Sequence, residues 1–196
     1  MISPLPSEPE LLRRSAKGDA GAFGMLVTHY QDAIFNLALR MVANREDASD
    51  VAQDVFLRAF RKIRAFEGRS SFMTWLYSIA MNESISLRRR KAAGSRKREL
   101  QMSVLDGRDA DAMYDPPGHA AAPDDGLERA ETCRQVEQAL AELDENYRSV
   151  VVLRDVEGLN YASIGGVLGC SVGTVKSRLH RARLELRLKL GRLLAQ

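Results

Sequence analysis

The chain has 196 residues, 45% of them hydrophobic and 28% charged, with a net charge of +3. That composition supports packed cores and excludes a wholly disordered chain. No uncharged apolar run approaches the ~18 residues of a membrane span, and Met1-Ile2-Ser3-Pro4-Leu5-Pro6 has neither the basic start nor the apolar stretch of a secretory signal. Cys133 and Cys170 have no CxxC or His-rich surroundings. They imply neither a disulfide framework nor a zinc site, and a reducing cytoplasm is the expected setting.

The small net charge conceals segregation. Acids and bases balance over residues 1–87, ten of each, whereas residues 88–99 hold seven bases and one acid. Residues 101–131 reverse the sign with eight acids and two bases, and residues 172–192 again hold seven bases and one acid. Two basic clusters with an acidic stretch between them suit two separate contacts with a polyanion.

Helical periodicity runs through both ends of the chain, and no alternating strand stands out. Ser7-Glu8-Pro9-Glu10 has the form of a capping box with proline in the first turn, opening a short helix that ends near Gly18. Asp19 is placed to cap a second helix with Phe23, Leu26, Val27, Tyr30, Ile34, Leu37 and Met41 on one face. Asn44 is placed to cap a third, in which Ala48, Val51, Ala52, Val55, Ala59 and Ile63 form the apolar stripe. Gly68, Arg69, Ser70 and Ser71 break the pattern, and a fourth helix is expected from about Phe72 to Lys91. From Ala92 to Gly126 the pattern dissolves around Pro116-Pro117-Gly118, Pro123 and six aspartates, the composition of a linker between domains.

Periodicity resumes with Leu127, Val136, Leu140 and Leu143, followed by a helical stretch from Tyr147 to Val156. Asn160 then caps a short helix through Leu168, Gly169-Cys170-Ser171 makes a tight turn, and Ser171 caps a longer basic helix to about Leu190. This is the pattern of a helix-turn-helix. Val175, Leu179, Ala182 and Leu186 form its buried stripe, while Lys176, Ser177, His180 and Arg181 project where recognition helices read base edges. Arg178, Arg183 and Arg187 are better placed for phosphates.

The third helix carries Glu46, Asp47, Asp50, Gln53 and Asp54 opposite its apolar stripe, a docking surface for a basic partner protein. The fourth begins Phe72-Met73-Thr74-Trp75 and ends Arg88-Arg89-Arg90-Lys91, so aromatic residues precede a basic tail, as suits single-stranded nucleic acid. Phe72, Trp75 and Ile79 also lie at helical spacing, and Trp75 is expected to sit mostly in the core.

These residues resemble those of the extracytoplasmic-function (ECF) sigma factors. The resemblance rests on Phe23 to Arg40, Asp47-Ala48-Ser49-Asp50-Val51-Ala52-Gln53-Asp54-Val55-Phe56, Thr74-Trp75-Leu76 and Gly173-Thr174-Val175-Lys176-Ser177-Arg178. It implies an all-α chain of two small helical domains: sigma-2 over 1–91, a flexible acidic linker over 92–126 and sigma-4 over 127–196. Asp47, Asp50, Gln53, Asp54 and Leu57 would then dock on the β′ clamp helices of core RNA polymerase, and the chain would also meet the β flap. Arg69, Ser70, Ser71, Phe72, Trp75, Asn82, Arg88, Arg89 and Arg90 would engage and help melt the −10 element. Ser171, Thr174, Lys176, Ser177, Arg178, His180, Arg181 and Arg183 would bind the −35 element. The resemblance also implies an anti-sigma factor as partner, an acidic linker threading the polymerase, no enzymatic activity of its own, no cofactor, no metal and no membrane insertion.

The chain departs from the family pattern at Ser86, where an aspartate is common, at Leu76, which replaces a second aromatic, and at Ser163-Ile164-Gly165-Gly166 in place of Glu-Ile-Ala. Two glycines in a short helix cost about 1 kcal/mol each relative to alanine. A free-standing helix-turn-helix repressor, or a nuclease holding magnesium on Asp47, Asp50 and Asp54, would explain one part of the pattern each, but not both domains and the linker.

Overall fold

The computed structural model describes residues 6–102 and 125–193, all of whose regular elements are helical. Most of the acidic segment 101–131 lies outside these residues, and with it the role expected of the linker.

Four helices form the N-terminal unit: α1 (Glu8–Ala16), α2 (Ala20–Val42), α3 (Arg45–Lys62) and α4 (Phe72–Met102). Their starts are set locally. The Asp19 carboxylate accepts from Ala22 N–H at 3.0 Å, and Asn44 accepts from Asp47 N–H at 2.9 Å. Each satisfies one of the N–H groups a helix start leaves open. The Ala22 amide and the Arg14 guanidinium hold the Asp19 carboxyl below its ordinary pKa. The capping box expected at Ser7 is not formed, since the Ser7 side chain makes no cap hydrogen bond. Glu10 pairs instead with Arg13, and Glu8 accepts the phenol hydroxyl of Tyr30, tying α1 to α2.

Leu26, Ile34, Leu37, Met41, Val55, Phe72, Leu76 and Met81 are fully buried where α2, α3 and α4 meet. Leu76, which replaces an aromatic, is therefore a core residue. The fourth helix runs to Met102, beyond the expected end at Lys91. Ala92, Ala93, Arg96, Lys97, Arg98 and Glu99 have good helix propensity, which outweighs the single interruption at Gly94.

The C-terminal unit comprises α5 (Asp125–Ala141), α6 (Glu145–Val151), a π turn (Val152–Val156), α7 (Tyr161–Leu168) and α8 (Val172–Leu193). The stretch expected to be helical up to Val156 thus ends in a wide turn, in which Glu157 N–H reaches back to Val152 O at 3.0 Å. Asn160 caps α7 through Ser163 N–H at 2.8 Å, as its sequence position suggests. Gly169 closes α7 with φ +63°, a left-handed conformation that glycine adopts without penalty. Val150, Leu153, Ile164, Val175, Leu179 and Ala182 form the core of this unit.

The two helical units pack against each other directly: α7 lies across α4, and α5, α6 and the π turn rest on α2. Their buried apolar residues form one continuous cluster.

Candidate nucleic-acid and polymerase interface

The helix-turn-helix is built from α7, the Gly169–Ser171 turn and α8. Ser171 Oγ accepts from Thr174 N–H at 3.1 Å and shares a 2.9 Å hydroxyl contact with Thr174 Oγ1. Both residues are thus engaged in starting the helix. Val175, Leu179 and Ala182 are buried beneath it, which leaves Lys176, Ser177, His180 and Arg181 exposed on its outer face. Arg178 and Arg181 line a shallow concavity with Thr174, Ser177, Tyr147 and Asn146. Arg183 is ion-paired with Asp155, which raises its pKa, so it is less available to phosphate than its neighbours. Lys176 Nζ lies 5.8 Å from the centre of the Tyr161 ring, a distance at which a cation is attracted to the π face.

The two glycines of α7 are not equivalent. A Cβ on Gly165 would stand 2.7 Å from the backbone oxygen of Cys170, closer than such atoms pack. Gly165 lets the turn fold back tightly onto α7. A Cβ on Gly166 would meet nothing within 4 Å.

In the N-terminal unit, Ser71 and Thr74 repeat the cap seen at Ser171 and Thr174, with Thr74 N–H donating to Ser71 Oγ at 3.1 Å. Ser71 therefore sets the start of α4, while Arg69 and Ser70 lie exposed in the loop before it. Phe72, expected among the −10 residues, is 1% exposed, so its ring is covered and does not stand open to a base as the helix lies. Its ring supports its neighbours, 5.6 Å from both Phe66 and Trp75. Trp75, expected mostly in the core, is only half-buried: it packs on Phe66 at 5.2 Å and lines a cleft with Phe66, Arg69, Ser70 and Thr74. Asn82 and Arg90 are exposed further along α4. Arg88 donates to Met41 O at 3.3 Å, and Arg89 pairs with Glu145 at 2.8 Å.

On α3, Asp50, Gln53, Asp54 and Leu57 share an exposed face, with Leu57 48% exposed. Phe60, which the apolar pattern did not single out, extends this face at 39% exposure. Asp47 is directed elsewhere and accepts from Lys91 Nζ at 2.7 Å, joining α3 to α4. Asp47, Asp50 and Asp54 do not gather into one site, and among the described residues no group of three His, Cys, Asp or Glu side chains could hold a metal ion. Cys133 is exposed and Cys170 half-buried.

Fold and surfaces together define an all-helical, two-unit protein that pairs a helix-turn-helix with an aromatic and basic helix and an exposed acidic face on α3. The sigma-70 region 2 model matches residues 26–94, and the sigma-70 region 4 model matches residues 133–186. The chain is 37% identical to the RNA polymerase sigma-H factor of Pseudomonas aeruginosa, over 90% of each. With the ECF RNA polymerase sigma factor SigW of Bacillus subtilis it shares 35% identity, over 91% of this chain and 94% of that one. Its fold is similar to the sigma factor RpoE of Bartonella quintana, solved with the anti-sigma factor NepR, at a TM-score of 0.64 and 27% identity, covering 86% and 96% of the two chains. The chain belongs to the sigma-70 family, in its ECF group, whose members direct promoter-specific initiation of transcription.

Proposed function

We propose that this ECF sigma factor divides its labour among three surfaces. The exposed face of Asp50, Gln53, Asp54 and Leu57, extended by Phe60, docks on the β′ clamp helices of core RNA polymerase. Lys176, Ser177, His180 and Arg181 read the −35 element from the start of α8, with Arg178 on phosphates. The Arg69–Ser70 loop and Trp75 hold an unpaired base of the −10 element, and Asn82 and Arg90 follow the backbone. The protein supplies specificity while the polymerase performs the chemistry, so it acts in the cytoplasm without an active site of its own. An anti-sigma factor is the expected controlling partner, as for the Bartonella protein. Among the described residues no helix is long and apolar enough to cross a membrane.

The observation that carries this reading is the start of α8, where four adjacent polar and basic side chains stand exposed above a buried apolar stripe. Run-off transcription with purified core polymerase on a genomic promoter pool tests it. Specific transcripts should require the added protein. Lys176→Ala or Arg181→Ala should weaken −35 recognition by about tenfold if either makes a base contact worth ~1–3 kcal/mol. Unchanged transcript choice in both variants would remove α8 from promoter reading.

A further inference from the structure

The outer face of α8 changes character along its length. Ser177, Arg181, Leu184 and Leu188 follow one another at spacings of four, three and four, so they form one exposed stripe on a helix of about 3.6 residues per turn. The opposite stripe, Val175, Leu179 and Ala182, is buried, and Leu186 packs against the same core. The first half of the outer stripe is polar and falls to promoter reading. The second half is apolar: Leu184 is 47% exposed and Leu188 66%, the most open large hydrophobic side chain among the described residues. With a rise of about 1.5 Å per residue, the two leucines stand about 10 and 16 Å beyond Ser177. Recognition helices enter the major groove by their N-terminal part, so base reading does not account for either leucine. Nor does the fold, because the side of α8 that meets the other helices of its unit is the buried stripe.

Charge decides what this stripe would meet. Residues 172–192 hold seven bases and one acid. Arg181 and Arg187 are exposed on either side of the leucines, and the one acid, Glu185, is turned to Lys189 at 3.9 Å. Lys189 and Arg183 are themselves occupied, by Glu142 at 3.1 Å and by Asp155. Among the described residues, then, two cations without an acidic partner rim two bare leucines. This is the pattern of a helix that lies in a lipid–water interface, with cations on headgroup phosphates and leucines among the first acyl carbons. A protein groove would have to answer each cation with a carboxylate, whereas an anionic bilayer presents phosphate all round a convex ridge. Duplex DNA offers the phosphates, but no apolar layer lies beneath them.

We propose that the C-terminal half of α8 is a docking surface for anionic phospholipid, with Leu184 and Leu188 dipping below the headgroups and Arg181 and Arg187 on their phosphates. Arg181 also belongs to the promoter-reading face, so a chain on the lipid surface and a chain on DNA exclude one another; this second step rests on the −35 assignment made above. The contact is weak and reversible, since two leucines and two cations fall well short of a permanent anchor.

The experiment sediments the full chain with vesicles of phosphatidylcholine alone, and of phosphatidylcholine with an equal part of phosphatidylglycerol, at about 100 mM salt. Binding to the anionic vesicles should be at least about tenfold tighter. Leu184→Gln/Leu188→Gln keeps every charge and a good helix former at both positions. It should lower that affinity about tenfold, the scale of re-exposing one leucine side chain. Its binding to a duplex of about 30 base pairs, held by phosphate contacts, should stay that of wild type. Leu188→Gln alone, at the more exposed position, should lose about threefold and covers the case in which the double variant fails to fold. Excess duplex should release wild type from the vesicles. Equal binding to both vesicles, or to neither, overturns the proposal. Unchanged affinity in the leucine variants overturns it too, because cations alone would then hold the chain, and so does retention on vesicles under excess duplex. Leucine variants that bind vesicles like wild type but lose core-dependent transcription would give the stripe to a protein partner instead. Failure of the −35 assignment is distinguishable: transcript choice would then be unchanged in Lys176→Ala and Arg181→Ala, while wild type keeps its leucine-dependent binding to vesicles.

Discussion

The N-terminal unit supports Trp75 and its loop with a thick core in which Leu26, Ile34, Leu37, Met41, Phe72, Leu76 and Met81 are all buried. The C-terminal unit supports α8 with aliphatic residues such as Val150, Leu153, Ile164, Val175 and Leu179, without a buried aromatic ring or methionine among the described residues, around a turn whose backbone closes on Gly165. One surface is held up by side-chain volume and the other by close backbone fit. A change in volume should therefore damage the first, and a single added carbon the second.

The largest effect is expected at Leu37→Ala in the thick core. Removing a fully buried leucine should cost about 2–5 kcal/mol, read as a lower urea midpoint for the whole chain. A cost below about 1 kcal/mol would mean that this core is loosely packed, and the contrast between the units would collapse. Next comes Gly165→Ala. The methyl group would gain about 1 kcal/mol in helix propensity, but it meets the Cys170 carbonyl at 2.7 Å. A net loss of about 1–3 kcal/mol and weaker binding to −35 duplex should follow. Gly166→Ala, one residue along, sharpens the comparison by reversing the sign: with open space at the Cβ, it should stabilise by up to about 1 kcal/mol. If both alanines act alike, backbone fit is not what distinguishes them.

The smallest effect is electrostatic. Asp19 has a folded-state pKa below its ordinary value, because its charged form accepts the Ala22 amide and faces Arg14. A depressed carboxylate pKa adds stability above the unfolded value and loses it as the pH falls through the folded one. The melting temperature of wild type should thus exceed that of Asp19→Asn at neutral pH, and the difference should vanish in acid. Asparagine keeps the capping oxygen, so the comparison isolates the charge.

Much of this was legible residue by residue. Asp19, Asn44, Asn160 and Ser171 announce helix starts, because capping joins groups only two or three positions apart. Gly169 marks the turn for the same local reason. The exposed starts of α3 and α8 follow from apolar stripes at helical spacing. Ser7 misled because its capping partner Glu10 found Arg13, while at Phe72 helical spacing left core packing and base contact both open, a choice that only its burial decides. The end of α4 misled as well, since charge and small residues suggested a linker where propensity carried the helix on.

The Gly165 contact lay between the two. A glycine in a short helix could be seen as a cost, but only the path of the turn shows which of the adjacent pair is needed. Asp47 is similar: its place on an acidic face was plain, whereas its engagement by Lys91, 44 positions away, was not.

The sequence by itself determined the helices, their caps, the helix-turn-helix and the segregation of charge, all consequences of interactions within a few residues. Tertiary structure alone decided that α7 would face Trp75, that Glu157 would meet Tyr77 80 positions away, and that Arg148 would cap α2 through the carbonyl of Met41, 107 positions before it. No periodicity encodes such pairs. They arise when two cores merge and the leftover carbonyls, cations and carboxylates at their margin find one another.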